Sequence, residues 1–282
     1  MNTKNVSLFG EPVPVPRRIA VAEASRKAFP RQFPTTKAAR DFLFQTILPP
    51  SMRWCFVSVG KNASSSTLRF LFRAEFGCDL TVKVTPKHDI NPAAEVHMLA
   101  EYGVFSRALW QGLSAQNLLG DAGPPERICV VRDPHARAVS AFLYLCQSQA
   151  VASQWFASDR IRMNAVTGFD WERDANTEDG FLRFLDYIAW QIETEGPDMV
   201  NAHWRPQVTF IKPTLFNPTV TGRMEDLGRY FRTLSERLDT PMPQVTPWEN
   251  RQPAGPNAVS SNVSARSMCH KIYAADYETF GY

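Results

Sequence analysis

Lys61 opens the run KNASSST (61–67), in which a cation is followed by four hydroxylic residues, Ser64, Ser65, Ser66 and Thr67. Where such a run begins a helix, the first backbone N–H groups lack intrahelical acceptors, the helix dipole adds partial positive charge, and the hydroxyls supply further donors. With an ammonium group beside them, these parts make a cradle for a phosphate whose leaving oxygen needs a cation, and they require no metal. The plainer alternative is that SSST only caps the helix and Lys61 is solvated. A second chemical cluster lies in ERICVVRDPHARAVSAF (126–142), where Arg132 and Ser140 combine a planar guanidinium with a hydroxyl, a pairing suited to a second phosphate. The alternative there is a local ion pair between Arg132 and Asp133 at a helix start.

The first run is not a Walker loop, which needs GxxxxGK[ST]. Here Gly60-Lys61 is followed by Asn62, and Cys55 stands where the first glycine belongs. A P-loop-like kinase would also need a strand-end aspartate to hold magnesium, and none stands out.

Both clusters sit at the same place in a repeated layout. WCFVSV (54–59) is a short apolar, β-favouring run, GKNASSS follows as a turn, and Leu68, Leu71, Phe72 and Phe76 recur at helical spacing. RICVV (127–131) repeats the strand, Asp133-Pro134 supplies a helix start, and Val139, Phe142, Leu143 and Cys146 share one face. Two strand–turn–helix units imply an α/β fold with a mostly parallel sheet flanked by helices, and such sheets gather ligands at the carboxyl ends of their strands. A further strand is expected at LTVKV (80–84), and helices near AAEVHMLAEYGVF (93–105), at 179–192 and at 224–238. Residues 1–50, rich in proline and scattered basic residues, with only AVAEASRKAF (20–29) and AARDFLFQTI (38–47) locally helical, read as an irregular N-terminal extension packed on the domain, leaving 51–282 as one α/β domain. The proline-rich stretch 241–257 reads as a long loop.

The chain of 282 residues carries a formal net charge of only +3, far from the footprint of a dedicated nucleic-acid binder, so an anion site must be local. Five widely spaced cysteines show no zinc spacing and fit a reducing compartment. No apolar run reaches the roughly 18 residues of a membrane span, and the N-terminus shows no secretory signal pattern. A cytoplasmic location is the resulting expectation.

Taken together, VGKNASSSTLR and VVRDPHARAVSAF resemble the two cofactor motifs of the sulfotransferases that use 3′-phosphoadenosine 5′-phosphosulfate (PAPS), in particular their carbohydrate branch and its bacterial relatives. The first is similar to the family's KNAxSS form, with Gly60 in place of the usual proline and Ala63 in place of the usual loop glycine. The second follows VRDPxxRxxSAF. NAHWRPQ (201–207), GRMEDL (222–227) and YAADYETFGY (273–282) also resemble family landmarks. The resemblance spans about residues 54–282 and implies a P-loop-NTPase-like single domain. It places Lys61 and the loop residues Asn62, Ala63, Ser64, Ser65, Ser66 and Thr67 around the 5′-phosphosulfate, and Arg132 with Ser140 at the 3′-phosphate. The implied reaction moves a sulfuryl group to a hydroxyl or amine of a glycan or glycoconjugate, with no metal. A catalytically silent nucleotide-binding module is the alternative from outside enzymology.

A transfer of this kind needs a base, and histidine, with an ordinary pKa of about 6.5, suits the task. His203 matches the NAHWRPQ landmark, while His88 and His97 lie between the two cofactor motifs, where many sulfotransferases carry a basic histidine. His203 and His88 rank ahead of His97. His135 and His270 read as bland, and Glu225 in GRMEDL is a reserve. Arg205, Gln207, Arg223 and Arg251 are candidates for an acceptor groove or added cofactor contacts.

Overall fold

The structure is a computed structural model that describes residues 11–82, 90, 94–242, 259 and 263–282. At its centre Trp54–Val57 (β2) pairs in parallel with Glu126–Val131 (β4), which pairs in parallel with Val220–Arg223 (β5). Thr46–Leu48 (β1) joins the other side of β2 antiparallel, and Ser106–Arg107 (β3) continues antiparallel beyond it, giving the order β3-β1-β2-β4-β5. The parallel character is therefore confined to the three strands that carry the two chemical turns and their neighbour.

Alternation along the central strands builds two cores. Trp54, Phe56, Ile128 and Val130 face Ser64–Phe76 (α3) and Leu227–Leu238 (α10), where Leu227, Phe231, Leu234 and Leu238 form one buried stripe. Cys55, Val57, Cys129 and Val131 face the opposite layer, which includes Val15–Ala28 (α1), Thr36–Gln45 (α2), Ala115–Leu119 (α4), Gln207–Ile211 (α8) and Pro213–Phe216 (α9). Gly222 on β5 allows α10 to approach closely, because a Cβ there would lie 2.5 Å from the Tyr230 ring. A third apolar cluster joins Pro134–Ala150 (α5), Ala157–Thr167 (α6), Glu178–Glu195 (α7) and Val263–Ile272 (α11), with Phe142, Phe181, Phe184 and Trp204 at its heart. The chain ends in Ala274–Phe280 (α12).

Three expectations need correction. Residues 15–48 are not an irregular extension: the two locally helical stretches, 20–29 and 38–47, lie largely in α1 and α2, and the chain continues into the sheet as β1. Ala38, Ala39, Phe42 and Leu43 give α2 an apolar face, and Thr35 caps it by accepting from the Ala38 N–H at 3.0 Å. Leu80, Thr81 and Val82 form no strand, and Lys83 and Val84 lie outside the described residues. The helix expected near 93–105 is a short 3-10 turn, Ala94–Leu99. The stretch 241–257 lies outside the described residues apart from Pro241 and Met242.

Candidate active site

β2 ends at Val57 and the chain reaches α3 through a turn in which Lys61 (φ 69°) and Ala63 (φ 53°) adopt left-handed backbone conformations. Among the described residues no side chain at the N-cap, Ala63, caps α3, and its first rung is the Thr67 N–H to the Ala63 carbonyl at 2.9 Å. The amides of Ala63, Ser64 and Ser66 precede that rung, so they are the orphan donors that make a helix start an anion site. The Ser64 hydroxyl donates to the Val59 carbonyl at 2.7 Å and closes the loop. Ser65 Oγ lies 3.0 Å from His97 Nε2, and Ser66 is buried. Thr67 leaves the cradle: its fully buried hydroxyl accepts from the Tyr230 hydroxyl at 3.4 Å on the core side. Successive helical residues diverge by about 100°, so four hydroxyls in a row cannot face one ligand.

Asn62 is part of the frame. Its Nδ2 donates to the Val130 carbonyl at 2.9 Å and to Gln207 Oε1 at 2.6 Å. The same Gln207 oxygen accepts from the Arg132 N–H at 3.0 Å, and its Nε2 donates to the Arg132 carbonyl at 2.8 Å, so Gln207 pairs with the end of β4 as a strand would. Asp276 on α12 accepts from the Gln207 and Val208 amides, both at 2.8 Å. Gln207 is thus buried scaffold and not acceptor groove. Arg205 is scaffold as well: buried, it donates to Asp41 Oδ2 and to the Val200 carbonyl. Arg223 bonds the Phe280 carbonyl and lies over the Tyr282 ring. Arg251 lies outside the described residues.

At the second turn the Arg132 guanidinium donates to the Lys61 carbonyl at 3.2 Å, so the two turns meet. Burial pulls the Arg132 pKa down, opposed by the carboxylates of Glu225 and Asp133. Here the helix is capped: Asp133 Oδ1 accepts from the Ala136 N–H at 2.7 Å, and the Asp133 amide itself donates to Glu225 Oε1 at 2.8 Å. Glu225 also accepts from the Tyr282 hydroxyl, which places it at the Arg132 end of the site. Ser140 lies buried on α5, and its hydroxyl makes no hydrogen bond among the described residues. Arg137, one turn before it, is fully buried and donates to the carbonyls of Gly60 (3.1 Å), Arg205 (2.8 Å) and Ala202 (3.1 Å). This residue, the second arginine of VRDPHAR, binds the first turn to the 201–207 loop, a role that the motif alone does not reveal because its three acceptors lie far away in the chain.

Arg137 also brings His203 to Lys61. The His203 ring packs between Tyr144 and Phe156, with ring centres 5.8 and 5.0 Å away, and Lys61 Nζ lies 4.0 Å above the Tyr144 face. A Cβ on Gly60, where the resemblance expects proline, would stand 3.3 Å from His203 Cδ2, a tight contact that would press the ring back by a few tenths of an ångström. Burial first, then the charges of Lys61 and Arg137 and the neighbouring His97, press the His203 pKa down to about 3. The ring is therefore neutral at physiological pH. His97 reaches the same loop through Ser65. His135 instead packs against Phe181, and His270 stacks on Tyr277. His88 lies outside the described residues.

A family model described as "Sulfotransferase family" matches residues 97–282, about two thirds of the chain. The chain belongs to the sulfotransferase family. The matched segment of this sulfotransferase contains the Arg132 turn, Arg137, His203, Gln207 and the C-terminal helices, while the Lys61 turn precedes it and is tied to it by the contacts above. No curated protein and no solved structure matches the chain. Among the described residues no helix is long and apolar enough to cross a membrane.

Proposed function

We propose that this sulfotransferase moves a sulfuryl group from PAPS to a hydroxyl, or an amine, of a carbohydrate acceptor. The observation that carries the reading is the hydrogen bond from the Arg132 guanidinium to the Lys61 carbonyl, which supports both cationic turns gripping one doubly phosphorylated nucleotide. The donor set fits that ligand: an ammonium group, a helix start without a side-chain cap and a half-buried guanidinium, with no carboxylate on the Lys61 turn itself.

When bound, PAPS supplies the sulfuryl group and a phosphate leaving oxygen. The protein's own groups divide the remaining work. Lys61 Nζ and the amides before Thr67 offset negative charge growing at the leaving oxygen, an electrostatic role of the oxyanion-hole type. Arg132 holds the 3′-phosphate, with Ser140 as its companion on α5. His203 is neutral and so free to take the proton of the attacking hydroxyl at Nε2; the negative charge of the bound nucleotide, set against Lys61, raises its basicity from the low value that burial, Lys61 and Arg137 impose, and the Tyr144 and Phe156 rings fix the imidazole plane. The glycan preference rests on the motif resemblance, and the exposed Trp155 beside Phe156 adds an apolar face near His203 on which a sugar ring can lie.

Calorimetry with 3′-phosphoadenosine 5′-phosphate and with ATP, each with and without magnesium, tests the donor. Preferential binding of the bisphosphate without metal is expected, whereas tighter magnesium-dependent ATP binding would return the kinase reading. Transfer of radiolabelled sulfate from PAPS to a panel of cell-envelope glycans tests the acceptor, and label appearing only on peptides or small phenols would remove the carbohydrate assignment.

A further inference from the structure

Behind His203 stands a chain of polar side chains that the reading above does not use. Asp159 lies in the first turn of α6, where its Oδ1 accepts from the Tyr187 hydroxyl of α7 at 3.2 Å and its Oδ2 accepts from Asn201 Nδ2 at 2.8 Å. Asn201 Oδ1 accepts from the His203 backbone N–H at 3.0 Å and also stands 3.0 Å from His203 Nδ1.

The polarity of this chain is fixed from both ends. An amide nitrogen only donates and a carboxylate only accepts, so Asn201 must turn its NH2 to Asp159. The opposite amide orientation would set carbonyl oxygen against carboxylate and NH2 against the His203 backbone N–H. Asn201 Oδ1, having no hydrogen, then requires a donor at His203 Nδ1. We propose that Asp159 and Asn201 form a positioning relay that holds His203 as the Nδ1–H tautomer, leaving the Nε2 lone pair to accept the substrate's proton. A free imidazole side chain in water favours the other tautomer, so the relay has something to overcome, and the carboxylate strengthens it by polarising the Asn201 amide. Neither residue touches the reacting atoms, and both act through His203.

The inference rests on His203 being the base, and its test separates the two ideas. Nitrogen-15 NMR of the full-length protein labelled at histidine, with the His203 ring assigned through its contacts with Tyr144 and Phe156, should show hydrogen on Nδ1 and none on Nε2. Finding hydrogen on Nε2 of the wild-type protein overturns the relay, and that measurement depends on no variant folding. In Asn201→Ala the hydrogen should move to Nε2, and kcat for label transfer to the glycan panel should fall about 10–100-fold with KM for PAPS within about twofold. Asp159→Asn, a closer replacement, should lower kcat less and leave KM in place. An inactive His203→Gln beside an Asn201→Ala that keeps both tautomer and kcat defeats the relay alone. A fully active His203→Gln defeats the base assignment and the relay with it.

Discussion

The turns after β2 and after β4 share one plan, a strand feeding a helix, yet they treat the helix start in opposite ways. At the first, two non-glycine residues take left-handed conformations, no side chain caps α3, and the amides before Thr67 remain outside the helical ladder. At the second, Asp133 caps α5 and Glu225 accepts the amide of Asp133, so that helix start is filled by carboxylates. A backbone already supplied with carboxylates has little to offer a phosphate, so in the proposed reading binding there falls to side chains, Arg132 above all. In the proposed reaction the first turn offers backbone dipoles and a cation at the reacting end, and the second offers a guanidinium at the far end. The 201–207 loop bridges them, with Gln207 bonded to Asn62 and Arg132, and Arg137 reaching across to Gly60.

Cutting that bridge is expected to have the largest effect. Arg137→Ala leaves three carbonyls without their donor in a fully buried place, and the loss is expected at about 5 kcal/mol, as for other broken buried charged networks. Urea unfolding measures it, and a change below about 1 kcal/mol would mean that the two turns hold together without Arg137. Next, Lys61→Ala should cost about 10²–10³ in kcat, the usual size for one donor at a developing negative charge, with little change in bisphosphate affinity, whereas Arg132→Ala should weaken bisphosphate binding more than it slows the step that follows. If the two variants show the same split between kcat and Kd, the division of labour between the turns is wrong.

The layout of the turns was legible because it rests on local chemistry. Trp54–Val57 and Ile128–Val131 are apolar runs closed by turn residues, and Asp133-Pro134 is a helix start that any reading of capping finds. The antiparallel strands β1 and β3 are three and two residues long, too short for any periodicity, so residues 15–48 read as an extension when part of them belongs to the sheet. Within the site the illegible parts are those set by contacts distant in the chain. Asp159 and Asn201 are 42 residues apart and meet only because α6 packs beside the 201–207 loop. Gln207 and Arg205 were visible as polar residues in a motif, but their burial, which makes them scaffold, depends on Asp276 and Asp41 at opposite ends of the chain. Thr67 stands apart from the serines for a simpler reason, since helical rotation carries its hydroxyl round to Tyr230.

Smaller changes sharpen the contrast. Asp133→Ala removes the α5 cap and should cost about 1 kcal/mol of stability, while bisphosphate binding tightens, because a carboxylate beside Arg132 has gone and the helix start is opened to an anion. Stability and affinity moving in the same direction would show that Asp133 acts otherwise than as the occupant of that helix start.

One substitution made at both turns reads the difference directly. Ala136, whose amide is bonded by Asp133 inside α5, is in ordinary helix, so Ala136→Gly should destabilise by about 0.5–1 kcal/mol through unfolded-chain entropy. Ala63, at φ 53° and ψ 28°, holds a conformation that costs an L-residue about 1–2 kcal/mol and a glycine almost nothing. Against that gain stand the extra entropy of glycine and the loss of a half-buried methyl packed on the α3 core, each somewhat under about 1 kcal/mol. The balance favours Ala63→Gly by about 0.5 kcal/mol, the opposite sign to Ala136→Gly. Thermal unfolding of the two variants side by side decides it: if both fall, the left-handed turn at Ala63 is not strained, and the two helix starts differ in their capping alone.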